Sequence, residues 1–374
     1  MIWIALLAFT CFLAYSNGAN DNAKGIATLY GSGTTDYGLA IRWATGATLL
    51  GSVVAVFLAN ELARNFSGKG LVPDALIQTP IFAASVALGA ALTVFTATRI
   101  GMPISTTHGL VGALFGAGVM AMGTDFNFYG LGRTFAFPLI ASPLLAAICS
   151  LVAYLIFRRI RLALGINRET CICVGEEPDR ILIPIHGPLA SCHEQIQTHA
   201  SVNVGETAEC VERYSGGMLG VDAQQILDVA HYVSAGWVSF ARGLNDTPKI
   251  AGLLVVLTAL NIEFSLTAIG IAIALGGLIS ARGVGETVSH KITPMNHGQG
   301  FTANLITGLL VATASVHGMP VSTTHVSVGS IFAIATVSGE GNVRVISQIL
   351  GSWLLTLPIA FVFSAATYWV LSNI

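Results

Sequence analysis

The sequence predicts an all-α integral membrane protein built from two inverted-topology repeats of about five or six helices each, with broken helices and helical hairpins that meet at the midplane of the bilayer. Three observations predict this fold. Hydrophobic residues make up 53% of the 374 residues. Charged residues make up only 10%, against about 25% in soluble domains. Two polar motifs lie within apolar stretches, and each of them occurs twice.

Apolar segments long enough for spans of about 20 residues cover most of the chain. They run roughly over 1–29, 39–60, 76–122, 134–160, 226–258, 264–282 and 300–371. We expect about ten crossings or more, five or so in each half, since some of these segments hold two spans of about 20 residues. The expected organisation is a first transmembrane repeat at 1–160, a polar loop at 161–224 and a second transmembrane repeat at 225–374.

The polar loop carries an unusual share of the charge. Between Arg161 and Asp222 there are four basic and nine acidic residues. Arginines cluster where the first half ends, at Arg158, Arg159, Arg161 and Arg168, and the positive-inside bias therefore places the loop in the cytoplasm. Four of the six cysteines lie in this loop, and we expect them to be reduced thiols. The net charge of -2 indicates no nucleic-acid partner.

Each polar motif returns at a fixed distance along the chain. The segment Gly18–Lys24 returns as Gly243–Lys249, 225 positions later, with the pattern Gly-x-Asn-Asp-x-x-Lys. The segment Gly101–His108 returns as Gly318–His325, and the stretch around it from position 96 to 115 keeps twelve identities in twenty positions. If each half crosses the bilayer an odd number of times, the second copy lies upside down relative to the first.

The first motif has the chemistry of a cation site. Glycine permits unwinding, and Asn and Asp compete for backbone hydrogen bonds, so we expect the helix to break at Asn20 and again at Asn245. A broken helix offers carbonyl oxygens beside carboxylate and amide oxygens, which suit a small, hard cation. The alternative is that the Asp and the Lys three residues later only form an ion pair within one helix.

The second motif has the chemistry of an anion site. Gly-Met-Pro favours a turn, after which Ser105 and Ser322 occupy the position of a helix N-cap. The first turn then presents hydroxyls, free backbone N–H groups and the positive end of the helix dipole, which together bind oxyanions. The alternative is that the hydroxyls bond back to the preceding turn. His108 and His325 can donate to the anion, relay protons or fix the hairpin, and we favour the last role.

These motifs, paired on two apolar halves that flank a polar loop, resemble those of the inorganic phosphate transporter family. The resemblance implies an inverted-repeat carrier that imports orthophosphate, driven by sodium in many members and by protons in others, with sulfate carried by some bacterial relatives. It also implies a homodimer in the cell membrane with extracellular termini. The expected function is therefore a secondary active symporter of phosphate and sodium ions that works by alternating access, and not an enzyme. The alternatives are a proton-coupled phosphate or sulfate permease, or a passive anion channel.

The resemblance assigns roles by position. Phosphate would lie between the two hydroxyl turns, at Ser105, Thr106, Thr107, Ser322, Thr323 and Thr324. Sodium would be bound by Asn20, Asp21, Asn245 and Asp246. Further candidates are Gly18, Lys24, Gly243, Lys249, His108, His325, Glu61 and Glu286. The two lysines can compete with sodium or contact phosphate, whereas the two glutamates are expected to be ordinary interfacial charges.

Overall fold

The computed structural model describes residues 2–58, 60–185, 191–213, 218–254 and 262–374. The chain forms two compact units. One combines the chain up to Tyr154 with His231–Ile374, and the other is Leu155–Ala230. Long apolar helices dominate the first unit, so the predicted class of a helical, multi-pass membrane protein is confirmed.

The elements follow one another in three groups. The first half contains α1 (Ile2–Asp21), α2 (Ala23–Gly31), α3 (Tyr37–Leu58), α4 (Asn60–Phe66), α5 (Asp74–Ile77), α6 (Pro80–Arg99), α7 (Thr106–Met122), α8 (Phe128–Leu131) and α9 (Phe137–Ala163). The middle contains β1 (Thr170–Ile185), β2 (Ser191–Glu206), α10 (Thr207–Arg213) and β3 (Met218–Asp222). The second half contains α11 (Ala223–Ala251), α12 (Ile262–Ser280), α13 (Arg282–Glu286), α14 (His297–Val316), α15 (Thr323–Ser338) and α16 (Val343–Ser372).

Among the described residues, six helical segments are long and apolar enough to cross a membrane. A seventh results if Phe264–Ser280 and Arg282–Lys291, which meet at a bend of 65°, count as one span. Helix α15 is apolar but shorter, which suits a hairpin arm better than a full crossing. The expected number of about ten crossings therefore stays a prediction.

The smaller unit contains a sheet that the sequence did not lead us to expect. Its strands are ordered β2-β1-β3 and pair antiparallel. Cys173 on β1 and Cys210 on α10 form a disulfide, with their Cα atoms 6.2 Å apart. The prediction of reduced thiols is wrong for this pair, because the fold brings two buried cysteines within the Cα separation that a disulfide spans. Cys171 remains a free, buried thiol.

The predicted helix breaks are largely wrong. Helix α11 runs without interruption through Asn245 and Pro248, and it ends in a 3-10 turn at Gly252–Leu254. In the first copy of the motif, only Asn22 separates α1 from α2, and its backbone N–H still bonds to the Gly18 carbonyl at 3.1 Å. The motif asparagines bond to the hairpins, so they do not compete for their own backbone. Helix α11 ends three residues after Pro248.

The two halves pack against each other reciprocally. A Cβ on Gly18 would collide with the backbone carbonyl of Ile273, and a Cβ on Gly243 would collide with that of Thr48. Thr48 and Ile273 are 225 positions apart, as Gly18 and Gly243 are. Two residues from different halves are in contact, and the equivalent residues of the opposite halves are in contact in the same way. Such a reciprocal pair of contacts is what a two-fold axis produces. The glycines allow helix backbones to approach closely, as in other membrane helix pairs.

Gly276→Ala is expected to destabilise this crossing. A Cβ at Gly276 would collide with the carbonyl oxygen of Tyr15, and overpacking of this kind costs about 1–3 kcal/mol. Gly46→Ala is the matched control, because nothing lies within 4 Å of its Cβ position in α3. Thermal unfolding in detergent should show a lower Tm for Gly276→Ala alone. An unchanged Tm for that variant would contradict the close crossing.

Candidate functional site

Two helical hairpins bring the serine and threonine motifs to their turns. Helices α6 and α7 form one hairpin, and α14 and α15 form the other. Gly101 and Gly318 have positive φ angles of 71° and 67°, which glycine adopts without strain. Ser105 and Ser322 then cap α7 and α15, each accepting a bond from the backbone N–H three residues later at 3.0 and 3.2 Å. We call Gly101–Thr107 and Gly318–Thr324 the hairpin tips.

The hairpin tips contact each other directly. Thr107 Oγ1 donates to the Val321 carbonyl at 3.2 Å, and Thr324 Oγ1 donates to the Ile104 carbonyl at 2.8 Å. In each case the accepting carbonyl belongs to the residue just before the capping serine of the other tip. All six hydroxyl residues of the two tips are buried. The N-termini of α7 and α15 therefore meet at one buried place.

The two motif carboxylates lie next to this place and next to each other. Asp21 and Asp246 are buried, and Asn17 Nδ2 donates to the Oδ2 atoms of both, at 3.0 and 3.1 Å. The same nitrogen lies 3.1 Å from Thr106 Oγ1 of the first tip, so its two hydrogens are shared among three oxygens. Sequence reasoning missed Asn17, because its counterpart 225 positions later is Arg242 and not an asparagine. Its position one helical turn before Asp21 is a signal that could have found it.

Each carboxylate is paired with the lysine three residues later. Lys24 Nζ forms an ion pair with Asp21 Oδ1, and Lys249 Nζ lies 3.5 Å from Asp246 Oδ1. Lys249 also reaches both tips, since its Nζ donates to Thr107 Oγ1 at 2.8 Å and to a tip carbonyl, that of Val321, at 2.6 Å. The ion pairs of the alternative interpretation are therefore present, but the second lysine does more than neutralise its neighbour.

The motif asparagines hold the hairpins of their own halves. Asn20 Oδ1 accepts the backbone N–H of Ile104 at 3.2 Å. Asn245 Nδ2 donates to the Val321 carbonyl at 3.3 Å, and its Oδ1 accepts from Ser315 Oγ at 3.0 Å. Both amides thus fix a hairpin against the helix that carries the first motif.

Arg242 is the third buried cation and was not singled out from the sequence. Its Nη2 donates to Asn22 Oδ1 at 3.2 Å and to Thr48 Oγ1 at 2.9 Å. Nε and Nη1 are buried and have no protein hydrogen-bond partner among the described residues. With two lysines and two aspartates, the buried set carries three positive and two negative charges, a formal sum of one positive charge.

The histidines of the second motif meet behind the tips. The rings of His108 and His325 are 4.3 Å apart, and His325 stacks on Trp353 at 3.9 Å. His108 Nδ1 lies 3.1 Å from Ser105 Oγ, the capping hydroxyl. These contacts place the rings where they support the tips.

The remaining candidates lie outside this centre. The side chain of Glu61 is 71% exposed and lies 3.9 Å from Arg64, and that of Glu286 is 45% exposed and lies 3.0 Å from Arg282. Gly18 and Gly243 lie at the helix crossings described above, where they serve packing. Glu61 packs beside the second tip, where a Cβ on Gly318 would lie 2.8 Å from the Glu61 Cβ, but the exposed carboxylates of both glutamates pair with arginines outside the centre.

The arrangement can bind ions of both signs. Two helix N-termini and several hydroxyls can donate to one oxyanion, and the surplus positive charge favours an anion there. Two adjacent carboxylates with amide and carbonyl oxygens can bind cations.

Comparison with known proteins agrees with this chemistry. The family model of the phosphate transporter family matches residues 17–364. A protein of Pyrococcus abyssi whose name gives phosphate permease as its inferred function is 27% identical over 99% of this chain and 98% of its own length. The chloroplastic inorganic phosphate transporter 2-1 of Arabidopsis thaliana is 27% identical over 99% of this chain and 72% of its own. A solved structure entitled "The sodium-dependent phosphate transporter" shares the fold, with a TM-score of 0.76, 24% identity and coverage of 100% and 99%. Since the family match includes both copies of both polar motifs, the chain belongs to the phosphate transporter family and is a transporter and not an enzyme.

Proposed function

We propose that this chain imports inorganic phosphate as a secondary active transporter, with the anion bound between the hairpin tips. The observation that carries the proposal is the reciprocal contact of Thr107 and Thr324 with the opposite tip, beside a cluster with surplus positive charge. Phosphate replaces these tip-to-tip bonds with bonds from the same hydroxyls and from the free N–H groups of α7 and α15.

Alternating access follows from the duplicated architecture. The reciprocal glycine contacts support two halves, 1–160 and 225–374, related by a two-fold axis. If that axis lies in the membrane plane, rocking one half against the other exposes the tips to either side in turn. A homodimer in the cell membrane with extracellular termini completes this proposal. The arginine cluster favours a cytoplasmic position for the loop at 161–224, whereas the Cys173–Cys210 disulfide is a bond that is rare in that compartment.

Sodium is the coupling ion that the sequence predicts, at Asn20, Asp21, Asn245 and Asp246. Cation and anion then bind better together, because each offsets the charge of the other in a site without water. The solved structure that shares this fold is entitled "The sodium-dependent phosphate transporter", which makes sodium the first candidate to test.

Coupling to protons is the second candidate. It is favoured because lysine nitrogens already contact both carboxylates that sodium would use, so that a sodium ion would have to compete with them. A passive anion channel is less consistent with the site, since two buried carboxylates beside the path repel a permeant anion unless cations accompany it.

Uptake of labelled phosphate into proteoliposomes tests secondary transport. With an imposed sodium or proton gradient, we expect phosphate to accumulate inside above the external concentration. Liposomes treated with ionophores that dissipate both gradients are the control, and they should only equilibrate. Flux that stops at equal concentrations under either gradient would contradict the carrier and favour the channel.

A further inference from the structure

The lysines of the first motif occupy the places where mobile cations are expected. Lys24 and Lys249 are 1% exposed, as buried as the aspartates beside them. An isolated charge is costly at this depth, so each carboxylate needs a positive partner. Each aspartate already has one, supplied by the chain itself three residues further along the helix.

The surroundings of Lys249 resemble those of a bound alkali ion. Its ammonium group contacts a hydroxyl oxygen of Thr107, a backbone carbonyl oxygen of Val321 and a carboxylate oxygen of Asp246, at 2.8, 2.6 and 3.5 Å. Hard cations are held by oxygen ligands of these three kinds. An ammonium has three donors and no acceptor, and here two hydrogen bonds and one ion-pair contact surround it with oxygens.

A sodium ion bound at the same carboxylates would add positive charge next to these ammonium groups. The buried set already has a formal surplus of one positive charge, with Arg242 included. Like charges that are close and away from water repel strongly. The ammonium groups of Lys24 and Lys249 therefore oppose sodium binding. They also supply the positive charge that a phosphate ion requires.

We propose that Lys24 and Lys249 act as tethered cations at Asp21 and Asp246, so that phosphate transport by this chain does not require sodium. This inference rests on the proposed phosphate transport and determines which ion accompanies it. The structural support is stronger for Lys249 than for Lys24, because the ammonium group of Lys249 contacts a carboxylate and both hairpin tips.

The test compares sodium with potassium at constant ionic strength. Labelled phosphate uptake into proteoliposomes is measured with the same imposed pH gradient in either salt. The parent protein should take up phosphate at rates that agree within about two-fold in the two salts. Lys249→Ala should lose at least ten-fold in potassium and recover most of this loss in sodium, because the shorter side chain leaves room for an ion beside Asp246.

Lys249→Met is the matched control. Methionine has similar length and no charge, so it fills the space, and uptake should be low in both salts. Purified protein gives a readout that is independent of transport. Sodium should raise the Tm of Lys249→Ala, since a ligand that binds the folded state stabilises it, and should leave the Tm of the parent unchanged relative to potassium.

The outcomes separate the two proposals. Uptake by the parent that rises ten-fold or more in sodium would overturn the tethered cations, and so would a sodium-dependent rise in its Tm. Failure of sodium to restore uptake and to raise the Tm of folded Lys249→Ala would also overturn them. Absence of phosphate uptake by the parent in every salt and gradient would instead contradict the proposed function.

Discussion

Asp21→Asn is expected to reduce phosphate uptake by about 100-fold or more and to lower the Tm. The substitution leaves the Lys24 ammonium buried beside a neutral amide, and breaking a buried ion pair by removing one partner costs about 3–5 kcal/mol. It also weakens the bonds that Asn17 and Thr106 make to the Oδ2 atom. Each 1.36 kcal/mol added to the transport barrier slows transport about ten-fold.

A double variant distinguishes a lost charge pair from a lost fold. Asp21→Asn combined with Lys24→Met removes both charges, so most of the Tm should return, whereas uptake should stay at least about ten-fold below the parent. Asp74→Asn is the control, because Asp74 is exposed at the start of α5. Transport and Tm are measured on the same preparations. If Asp21→Asn takes up phosphate at the rate of the parent protein, this carboxylate has no role in transport.

Thr324→Val is expected to raise the half-saturating phosphate concentration by about ten- to one-hundred-fold. Valine keeps the shape but loses the hydroxyl that reaches the opposite tip, where it donates to the buried Ile104 carbonyl. Phosphate then loses a donor, and a hydrogen bond to a charged group is worth about 1.5–3 kcal/mol. Thr107→Val should act at least as strongly, because that hydroxyl also accepts from Lys249.

Conservative and remote variants control for packing. Thr324→Ser keeps the hydroxyl and should stay within about three-fold of the parent. Thr313→Val lies on an exposed face of α14 and should change nothing. The measurement is the concentration dependence of phosphate uptake at a fixed ion gradient. Unchanged half-saturation in both Thr107→Val and Thr324→Val would exclude the tips from phosphate binding.

Much of the site could be predicted because its residues are repeated. Ser105 and Ser322 cap helices as expected, because the Gly-Met-Pro turn before each serine ends one helix and leaves the serine at the start of the next. The expected hairpins follow from the same turn. The helices do not break at Asn20 or at Asn245. The side chains of these residues bond to other helices, so they do not compete for backbone hydrogen bonds.

Asn17 and Arg242 show the limit of reasoning from repeats. They occupy equivalent positions but differ in chemistry, so a search for identical residues passes over both. Their importance comes from contacts to residues far away in the chain, such as Asp246 for Asn17 and Thr48 for Arg242.

The sequence alone determined that this is a helical membrane protein with two related halves, because apolar composition and duplicated motifs are properties of the chain itself. Tertiary structure decided which atoms meet at the centre. The contact between the hairpin tips, the bridge from Asn17 to two aspartates and the reach of Lys249 to the opposite tip all join segments from different halves. Such contacts depend on how the helices cross, and a pattern within one segment carries no record of that geometry.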